Sequence, residues 1–537
     1  MKFNFFHSEL HKDYTLNFQR VDGFYQYPPR VESLTHRCGK MPENSHRDLL
    51  AKILREYNVR LGAPEDVLEN IDLLAEPGTA VIIGGQQAGL FTGPLMTLYK
   101  AMDIINRAQE ASQKTGRPVV PVFWVPGDDH DFREVNHLWI TDSENKNQKI
   151  SLNSPFQTRP ISFIPRKESF LEAVNALEKK TPRGRFKNNY LDLLRETGQK
   201  SGSLGEWFAR IMISLLGHQG LILFDPMASG VAELKKEFIS LFKPAASDFY
   251  QAVSKKEKEL EEAGYHVQVQ KDNRHTNFFV ILGGERRPVF KQGNRFQSRG
   301  GDLDLTEDEF WDLMEKEPAS FSPDALLRPI FQDFVFPVLA SINGPGELAY
   351  QGQLRLGYRT MGLEQPPLFP RKSLTLVEER LLRHMEKWEV APREFLEEGE
   401  KLWDKIVFRH TGVDLENIFN PSRREIREIY EQLMAELKNV HPNLEDLACK
   451  NLKRILKEVD YLEGRSREFQ VEKEKTLSRQ FDKILNSLYP GEKLQERVLN
   501  VFPFLMRYGP ELLGIIQKGL KELKEEHGFL TTDGRWK

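Results

Sequence analysis

Cysteine is scarce in this chain: only Cys38 and Cys449 occur among 537 residues, and more than 400 positions separate them. Two thiols are too few for a structural zinc site or a disulfide framework. A reducing cytoplasm is therefore the simplest expectation for where the protein works. Neither thiol has an activating neighbour in the sequence, so we expect both to be inert.

The chain also lacks long apolar runs and an excess of charge of either sign. No stretch reaches about 18 consecutive apolar residues, so no membrane span is predicted. The first residues, MKFNFFHSELHKDYTL, lack the apolar core of a signal peptide. A net charge of −3 argues against general nucleic-acid or membrane-surface binding. The length predicts two or three domains.

Neither common phosphate-binding motif is present, although a glycine-rich turn is. GGQQAGLFTGP (84–94) matches neither GxGxxG nor GxxxxGK[ST]. It follows a short apolar run, Ala80–Ile83, and precedes an amphipathic helical segment. A second apolar run, Val119–Val125, comes after a Gly-Arg-Pro break. This order predicts a βαβ unit whose two parallel strands are buried on both faces.

The alternation of strand and helix continues to about residue 372. Apolar runs recur in GLILFDP (220–226), at 334–342 and at Pro366–Phe369. Two β-rich stretches, near 138–200 and 264–320, interrupt them. We predict an α/β fold for residues 1–372, a Rossmann-like doubly wound sheet that carries two β-rich insertions.

From residue 373 the composition becomes rich in Glu, Lys and Arg, and apolar residues recur at spacings of three and four. This pattern predicts a helical hairpin or coiled coil over 373–490, with Pro442 perturbing its first arm. Packing within one chain and pairing of two chains both explain the apolar stripe, and we favour a homodimer. Residues 491–537, which include VFPFLMRYGPELL, are predicted to pack back on the core.

A cluster of acids and imidazoles ends the second predicted strand, in PVVPVFWVPGDDHDFREVNH (118–137). The cluster contains Asp128, Asp129, His130, Asp131, Glu134 and His137. It fits a metal site, an acid/base or amine-binding site, or a solvated loop with capping aspartates. The histidines are seven residues apart and the other candidate ligands are all carboxylates, which is not a zinc signature. The cluster suits Mg²⁺ better than zinc, because one or two carboxylates can hold Mg²⁺ together with a nucleotide.

Polar residues also follow the other predicted strands. In sheets of this kind the carboxyl ends of the strands form the ligand crevice. We expect Gln86, Gln87 and Thr92 at one strand–helix corner, and INGPGELAYQGQLR (342–355) at another. The alternative is that these glycines serve tight turns alone. Arg328 and FPRKS (369–373) are weaker candidates as cations, and NRHTNFF (273–279) fits a plain hairpin edge better than a site.

Four motifs taken together carry a family resemblance: VIIGGQQAGLFTGPLMT, PVFWVPGDDHDFREVNH, INGPGELAYQGQL and MRYGPEL. The chain resembles the BshC family, the cysteine-adding enzymes of bacillithiol biosynthesis, along its whole length. The resemblance implies a nucleotidyltransferase-type Rossmann core, two connecting-peptide insertions and a coiled coil that pairs two subunits. It also implies a ligase that joins L-cysteine to glucosaminyl malate.

Formation of this amide requires an activated cysteine carboxyl group, which ATP would supply, with Mg²⁺ as its companion ion. Asp129 and His130 would then bind or deprotonate the amine. The remaining residues expected to bind substrate or nucleotide are Gln86, Gln87, Gly89, Thr92, Gly93, Asp128, Asn343, Gly346, Glu347, Tyr350 and Arg371.

The sequence departs from the related class I aminoacyl-tRNA synthetases at both of their signatures. Phe91-Thr92-Gly93-Pro94 keeps the glycine of the His-x-Gly-His corner without its histidines, and Arg371-Lys372-Ser373 is the nearest match to the lysine loop. Two functions of other classes therefore stay open. One is a metal-dependent hydrolase of a small amide that uses the acidic cluster. The other is a non-catalytic coiled-coil scaffold with a ligand-binding Rossmann body.

Overall fold

The computed structural model describes residues 6, 8–41, 46–270, 274–524 and 526–537. Its strands, in chain order, are Ala80–Gly85 (β1), Val119–Trp124 (β2), His137–Thr141 (β3), Asn147–Ser151 (β4), Ile222–Phe224 (β5), His275–Leu282 (β6), Glu285–Gln292 (β7), Arg295–Ser298 (β8), Asp304–Thr306 (β9), Phe321–Pro323 (β10), Val338–Asn343 (β11), Leu368–Pro370 (β12), Leu374–Val377 (β13) and Gly528–Thr531 (β14).

Helices make up most of the remaining regular structure. They are Glu9–Leu16 (α1), Val31–Cys38 (α2), Arg47–Leu61 (α3), Glu65–Ala75 (α4), Met96–Thr115 (α5), Phe132–Val135 (α6), Glu168–Lys180 (α7), Lys187–Lys200 (α8), Leu204–Leu216 (α9), Val231–Glu262 (α10), Glu307–Lys316 (α11), Arg328–Val335 (α12), Pro345–Gln351 (α13), Arg355–Thr360 (α14), Glu379–Trp388 (α15), Pro392–Glu398 (α16), Leu402–Thr411 (α17), Leu415–Leu437 (α18), Asn443–Lys473 (α19), Lys475–Leu488 (α20), Gln495–Val498 (α21), Phe502–Tyr508 (α22) and Glu511–Glu522 (α23).

The central sheet is parallel and has the strand order β12-β11-β1-β2-β5. The order in which the chain adds strands reverses at β1, with β2 and β5 on one side and β11 and β12 on the other, which is the doubly wound arrangement of Rossmann-like folds. β1, β2 and β5 are apolar and almost wholly buried because helices cover both faces of the sheet. The predicted α/β fold class and the βαβ unit of β1, α5 and β2 are confirmed.

Antiparallel strands interrupt this alternation in two places. The first interruption holds the β3–β4 hairpin followed by α7 and α8. The second holds the sheet β10-β6-β7-β8-β9. In the second, Phe321–Pro323 of β10 pairs with β6, next to the main-chain turn that leads into α12. This small sheet therefore lies against the carboxyl ends of the central strands.

One predicted strand starts later than expected. The apolar run 334–342 was predicted as one strand, but its first two residues complete helix α12 and the strand begins at Val338. Pro337 explains the boundary: the residue before a proline is pushed out of helical conformation, and Phe336 has φ −111° and ψ 146°.

The helices α18 and α19 form an antiparallel hairpin within the region predicted as helical. Arg423 of α18 binds Asp460 of α19 at 2.8 Å, and Tyr430 donates to Asn451 Oδ1 at 2.6 Å. The prediction that Pro442 perturbs the first arm is wrong, because that arm ends at Leu437. The proline lies in the turn as the N-cap of α19, where its missing N–H and fixed φ are tolerated.

The described parts of residues 491–537 pack on the core, as predicted, and one strand pairs with a segment just beyond it. β14 adds a parallel strand to β13, and the Leu95 N–H donates to the Leu499 carbonyl at 2.8 Å. His527 is buried, and its ring nitrogens lie 2.7 Å from Ser373 Oγ and 2.9 Å from Thr375 Oγ1. Across the described ranges, no helix is both long and apolar enough to cross a membrane.

The buried His527 is expected to make a pH-dependent contribution to the free energy of unfolding. Burial lowers its pKa to about 4, and Glu496 only partly opposes this shift. An unfolded histidine titrates near 6.5, so the unfolded chain binds the extra proton first as the pH falls. The contribution of His527 to the free energy of unfolding is fully present above about pH 6.5 and is lost as the pH falls toward 4. At 1.36 kcal/mol per pKa unit, the loss is about 3 kcal/mol.

Urea unfolding between pH 7 and pH 4 should therefore show a shallower loss of stability in His527→Gln than in the unaltered chain. His218→Gln is the control, because His218 is 84% exposed. Parallel pH profiles for His527→Gln and the unaltered chain would contradict the assignment.

Candidate functional site

A cleft of about 1080 Å³ opens at the carboxyl ends of β1, β2 and β11. This is the point where the strand order reverses, the usual ligand crevice of doubly wound sheets. The second insertion forms the opposite wall with His275, Asn277, Phe278 and Phe279 of β6 and with Arg286 of β7. The sequence favoured a plain hairpin edge for NRHTNFF, but its strand residues line the cleft. Asn273 of that segment lies outside the described residues.

Lys100 connects two corners of this cleft. It lies on α5, is fully buried, donates to the Gly85 carbonyl at 2.5 Å and forms an ion pair with Glu347 of α13. Burial lowers the pKa of Lys100, and the charge of Glu347 opposes that shift. The pair holds the end of β1 against the turn that follows β11. Glu347 thus reaches the predicted crevice with its charge already balanced.

Arg286 neutralises the acidic cluster at the end of β2. Its Nη1 donates to Asp129 Oδ1 at 3.3 Å and to His130 Nδ1 at 3.2 Å, and its Nη2 lies 3.9 Å from Asp128. Its Nε donates to Ser322 Oγ at 2.8 Å, and the guanidinium lies 3.8 Å from the centre of the Phe279 ring. The second insertion therefore supplies the counter-charge for the motif.

Asp129 is fully occupied by these contacts. It also accepts hydrogen bonds from Gln87 Nε2 and from the His130 backbone N–H at 2.7 Å. Burial alone would raise the pKa of Asp129, but the interactions with His130, Arg286 and Gln87 outweigh burial and hold it well below its usual value. Asp129 is therefore an ionised acceptor that fixes Gln87 and His130 in place.

His130 is half-buried in the cleft wall, with its ring next to that of Phe279. Because Arg286 donates to Nδ1, a neutral His130 carries its proton on Nε2. In that tautomer the ring can donate a hydrogen bond from Nε2.

Asp128 differs from its neighbour. Its side chain is 5% exposed and lines the cleft, yet no described residue donates a hydrogen bond to it. Lys235, which does not line the cleft, attracts it electrostatically; burial lowers the Lys235 pKa to about 8, with Asp128 opposing. A buried carboxylate without a hydrogen-bond donor is costly unless a ligand supplies one.

Arg328 is a cation without a carboxylate partner, whereas Asp128 is a carboxylate without a hydrogen-bond donor. It donates to Tyr350 Oη at 3.0 Å and to Gln332 Oε1 at 3.2 Å, and it lies 5.9 Å from the centre of the Trp124 ring. Within the described ranges, no carboxylate lies within 4.0 Å of its guanidinium. Burial would lower its pKa, but Tyr350 and Glu347 outweigh that effect and raise it, so the side chain stays charged.

The structure gathers some of the predicted residues at the cleft and leaves others outside. Those that line it are Gln86, Gln87, Asp128, Asp129, His130, Gly346, Glu347, Tyr350 and Arg371. Arg371 lies there as the partner of buried Glu496, which it contacts at 2.7 and 3.0 Å. Its charge is therefore already neutralised.

Gly89, Thr92, Gly93 and Asn343 do not line the cleft. A Cβ on Gly89 would come within 2.8 Å of the Gly93 Cα, so a close backbone approach requires glycine there. Thr92 is fully buried. Asn343 turns inward and donates to Ser341 Oγ at 2.8 Å. These four positions match the tight-turn alternative for the glycine-rich motifs.

A protein-built metal site does not fit the acidic motif. Over the part of the chain that the structure describes, no three His, Cys, Asp or Glu side chains come together so that they could hold a metal ion. Arg286 lies next to Asp128 and Asp129, where a cation would be expected to bind. His137 contacts Asn136 and does not line the cleft. Among the described residues, the hydrolase interpretation therefore finds no cluster of side chains that could hold its metal ion.

Several residues that line the cleft or hold its walls were missed by sequence reasoning. Lys100 had one visible signal, a lysine inside the buried face of an amphipathic segment. Arg286 and Glu496 had none, because their partners lie over 100 positions away in the sequence. From the sequence Arg328 was only a weak candidate, since an isolated arginine usually pairs with a carboxylate.

Comparisons with known proteins agree with this architecture. Residues 2–372 match the family model "Bacillithiol biosynthesis BshC, N-terminal Rossmann-like domain", and residues 374–532 match "Bacillithiol biosynthesis BshC, C-terminal coiled-coil domain". Among solved structures, a chain titled as a putative arginyl-tRNA synthetase from Campylobacter jejuni covers 87% of this chain and 98% of its own. Its identity is 9% and its TM-score 0.23, which is too low to support any argument.

Similar curated proteins are named "Putative cysteine ligase BshC". The relative from Symbiobacterium thermophilum is 30% identical and the match covers 96% of this chain and 95% of the relative. The Bacillus cereus relative is 30% identical, with 93% of each chain covered, and that of Carboxydothermus hydrogenoformans is 29% identical, with 95% and 96% covered. On this evidence, the chain belongs to the BshC family of bacillithiol biosynthesis.

Proposed function

We propose that this protein is a cysteine ligase that joins the carboxyl group of L-cysteine to the amine of glucosaminyl malate and so forms bacillithiol. One observation supports this reaction most directly. The cleft contains a carboxylate without a hydrogen-bond donor, Asp128, and a guanidinium without a counter-ion, Arg328. An amide-forming enzyme must bring an amine and an anionic carboxyl derivative together, and these two residues suit that pair.

In the proposed reaction, the amine nitrogen attacks the activated carbonyl carbon of cysteine. A C–N bond forms, the C–O bond to the leaving group breaks, and the amine releases a proton. Asp128 binds the ammonium form and accepts its first proton before the attack, which frees the nitrogen lone pair, and its lack of hydrogen bonds suits it to this role. The second proton, released as the amide forms, leaves with the departing group. Arg328 stabilises the negative charge on the carboxyl derivative, and Tyr350 orients the guanidinium.

ATP-type activation would supply the leaving group on the cysteine carboxyl. The most available cation for a phosphate or carboxylate oxygen is Arg328, because Arg371 and Lys100 are paired with Glu496 and Glu347. A resident Mg²⁺ does not fit, since the nearby carboxylates have cationic partners. Mg²⁺ that arrives with nucleotide phosphates takes most of its ligands from phosphate and water, so it does not require Asp128, which binds the ammonium group in this proposal.

The direct test is mass spectrometry of a reaction containing cysteine, glucosaminyl malate and a nucleotide. Formation of bacillithiol supports the proposal, and ATP, GTP and nucleotide-free reactions identify the activating group. Absence of product under every condition would reject an autonomous ligase. We place this activity in the cytoplasm, where the two unpaired thiols would stay reduced.

Asp128→Asn should lower kcat/KM for ligation by about 100-fold or more, the usual range for a positioned proton acceptor. The amide keeps the shape of the side chain but neither attracts an ammonium group nor takes its proton. Steady-state kinetics with glucosaminyl malate varied would measure the loss. Asp66→Asn, a 52%-exposed aspartate, is the control. Equal activity of Asp128→Asn and the control would remove Asp128 from the mechanism.

Arg328→Met should lower kcat/KM by about 100- to 1000-fold, the range seen when a group that stabilises transition-state charge is removed. Arg328→Lys should recover part of that loss because it keeps the charge but not the planar fork. Arg359→Met, on the exposed part of α14, is the matched control. If Met and Lys variants lose activity equally, charge is not what Arg328 contributes.

We further propose that the protein is a homodimer through the α18–α19 hairpin. Large apolar side chains are exposed along this hairpin, among them Val440 (74%), Tyr461 (66%) and Leu447 (60%). Several large apolar side chains exposed on one helical hairpin favour an interaction site there.

Light scattering on the full chain should give twice the monomer mass of 62.3 kDa. Leu447→Glu combined with Tyr461→Glu should give a monomer, because burying two carboxylates in the interface is unfavourable. Leu171→Glu, at an apolar residue of α7 that is 52% exposed, should stay dimeric. A monomer in the unaltered chain, or a dimer in the double variant, would contradict this interface.

A further inference from the structure

The strand–helix corner between β1 and α5 has an unusual backbone. Phe91 has φ 50° and ψ 47°, and Thr92 has φ 70°. Positive φ is uncommon for any residue other than glycine and is a true outlier for a β-branched one such as threonine. Both side chains are buried. Strain of this kind persists only where the surrounding structure holds it, and it is often found near ligand sites.

The C-terminal segment supplies the group that holds this corner. Asn500, between α21 and α22, is fully buried. Its Nδ2 donates both to the Phe91 carbonyl at 2.7 Å and to the Gly93 carbonyl at 2.6 Å. Its Oδ1 accepts from the Phe502 N–H at 2.9 Å, and its own N–H donates to the Trp139 carbonyl at 2.9 Å. One amide group thus binds the two carbonyls that flank Thr92.

The corner in turn limits where Gln86 and Gln87 can lie. The Gly89 N–H donates to the Gln87 carbonyl at 2.8 Å, and the close approach of Gly89 to Gly93 ties this loop to the clamped turn. β1 fixes the other end of the loop through Gly85. Gln87 can therefore reach Asp129 only while the corner keeps its shape.

We propose that Asn500 is a positioning residue of the cleft: it holds the strained corner so that Gln86 and Gln87 remain in place. By this contact the C-terminal segment contributes to the site without touching substrate. The effect on catalysis rests on the ligase activity proposed above, whereas the clamp itself does not. The two parts are therefore tested by separate measurements.

Amide hydrogen exchange of residues 84–95 tests the clamp without any activity. In Asn500→Ala the N–H groups of Gly89, Gly93 and Leu95 should exchange at least tenfold faster. The control is Asn106→Ala, since Asn106 also joins the core to this segment, donating to the Gln517 carbonyl at 3.0 Å, away from the corner. Equal exchange at the corner in both variants would overturn the clamp.

A double-mutant cycle with Gln87→Ala tests positioning. Asn500→Ala should lower kcat/KM about tenfold in the unaltered chain but less than threefold when Gln87 is already alanine, because neighbouring residues that act together are not additive. Equal losses in both backgrounds would overturn the proposal. If the unaltered protein makes no product, the ligase proposal fails, and hydrogen exchange still decides on the clamp.

Relief of the backbone strain gives an independent check, which can be used even if Asn500→Ala alone folds poorly. Adding Thr92→Gly lets position 92 adopt φ 70° without a steric penalty, so the clamp is needed less. The double variant should fold and should recover at least half of the lost activity. No recovery in a folded double variant would show that backbone strain is not what Asn500 holds.

Discussion

The guanidinium of Arg286 is the contact on which the site depends. Asp128 and Asp129 are adjacent in sequence and largely buried, and two such charges repel each other unless a cation lies between them. Arginine suits this place because its planar fork presents five donors in fixed directions and packs against the Phe279 ring. The second insertion is thus part of the site, because it supplies the arginine that helps to lower the pKa of Asp129.

Three ion pairs fix the walls of the cleft. Arg286 meets Asp129, Lys100 meets Glu347, and Arg371 meets Glu496. Each pair joins segments that are distant in sequence, so the pairs arrange the strand ends before any ligand binds. Preorganised charge of this kind is more effective in catalysis than groups that must reorient during the reaction. Beside these pairs, Asp128 has no hydrogen-bond donor and Arg328 has no carboxylate within 4.0 Å among the described residues.

The sequence was informative where the governing interactions are local. Apolar runs and glycine corners predicted the parallel strands, because burial on both faces and tight turns act over a few residues. The sequence predicted Pro442 in an arm rather than in the turn, because apolar residues keep their heptad spacing across the turn and so do not reveal it. Arg286 could not be predicted, because its partners Asp129 and His130 lie in another part of the fold. Distinguishing Asp128 from Asp129 likewise required knowing which oxygens already accept hydrogen bonds.

The glycine-rich motif shows why a pattern of turn residues does not identify a ligand. A phosphate-binding loop presents backbone N–H groups to its anion. The corner after β1 instead directs two carbonyl oxygens, those of Phe91 and Gly93, toward one point, and such a point attracts a donor and repels a phosphate. The side chain of Asn500 is that donor. An anionic substrate group must therefore find its positive partner elsewhere in the cleft. Arg328, a cation there that hydrogen-bonds only uncharged side chains among the described residues, is the partner that we propose.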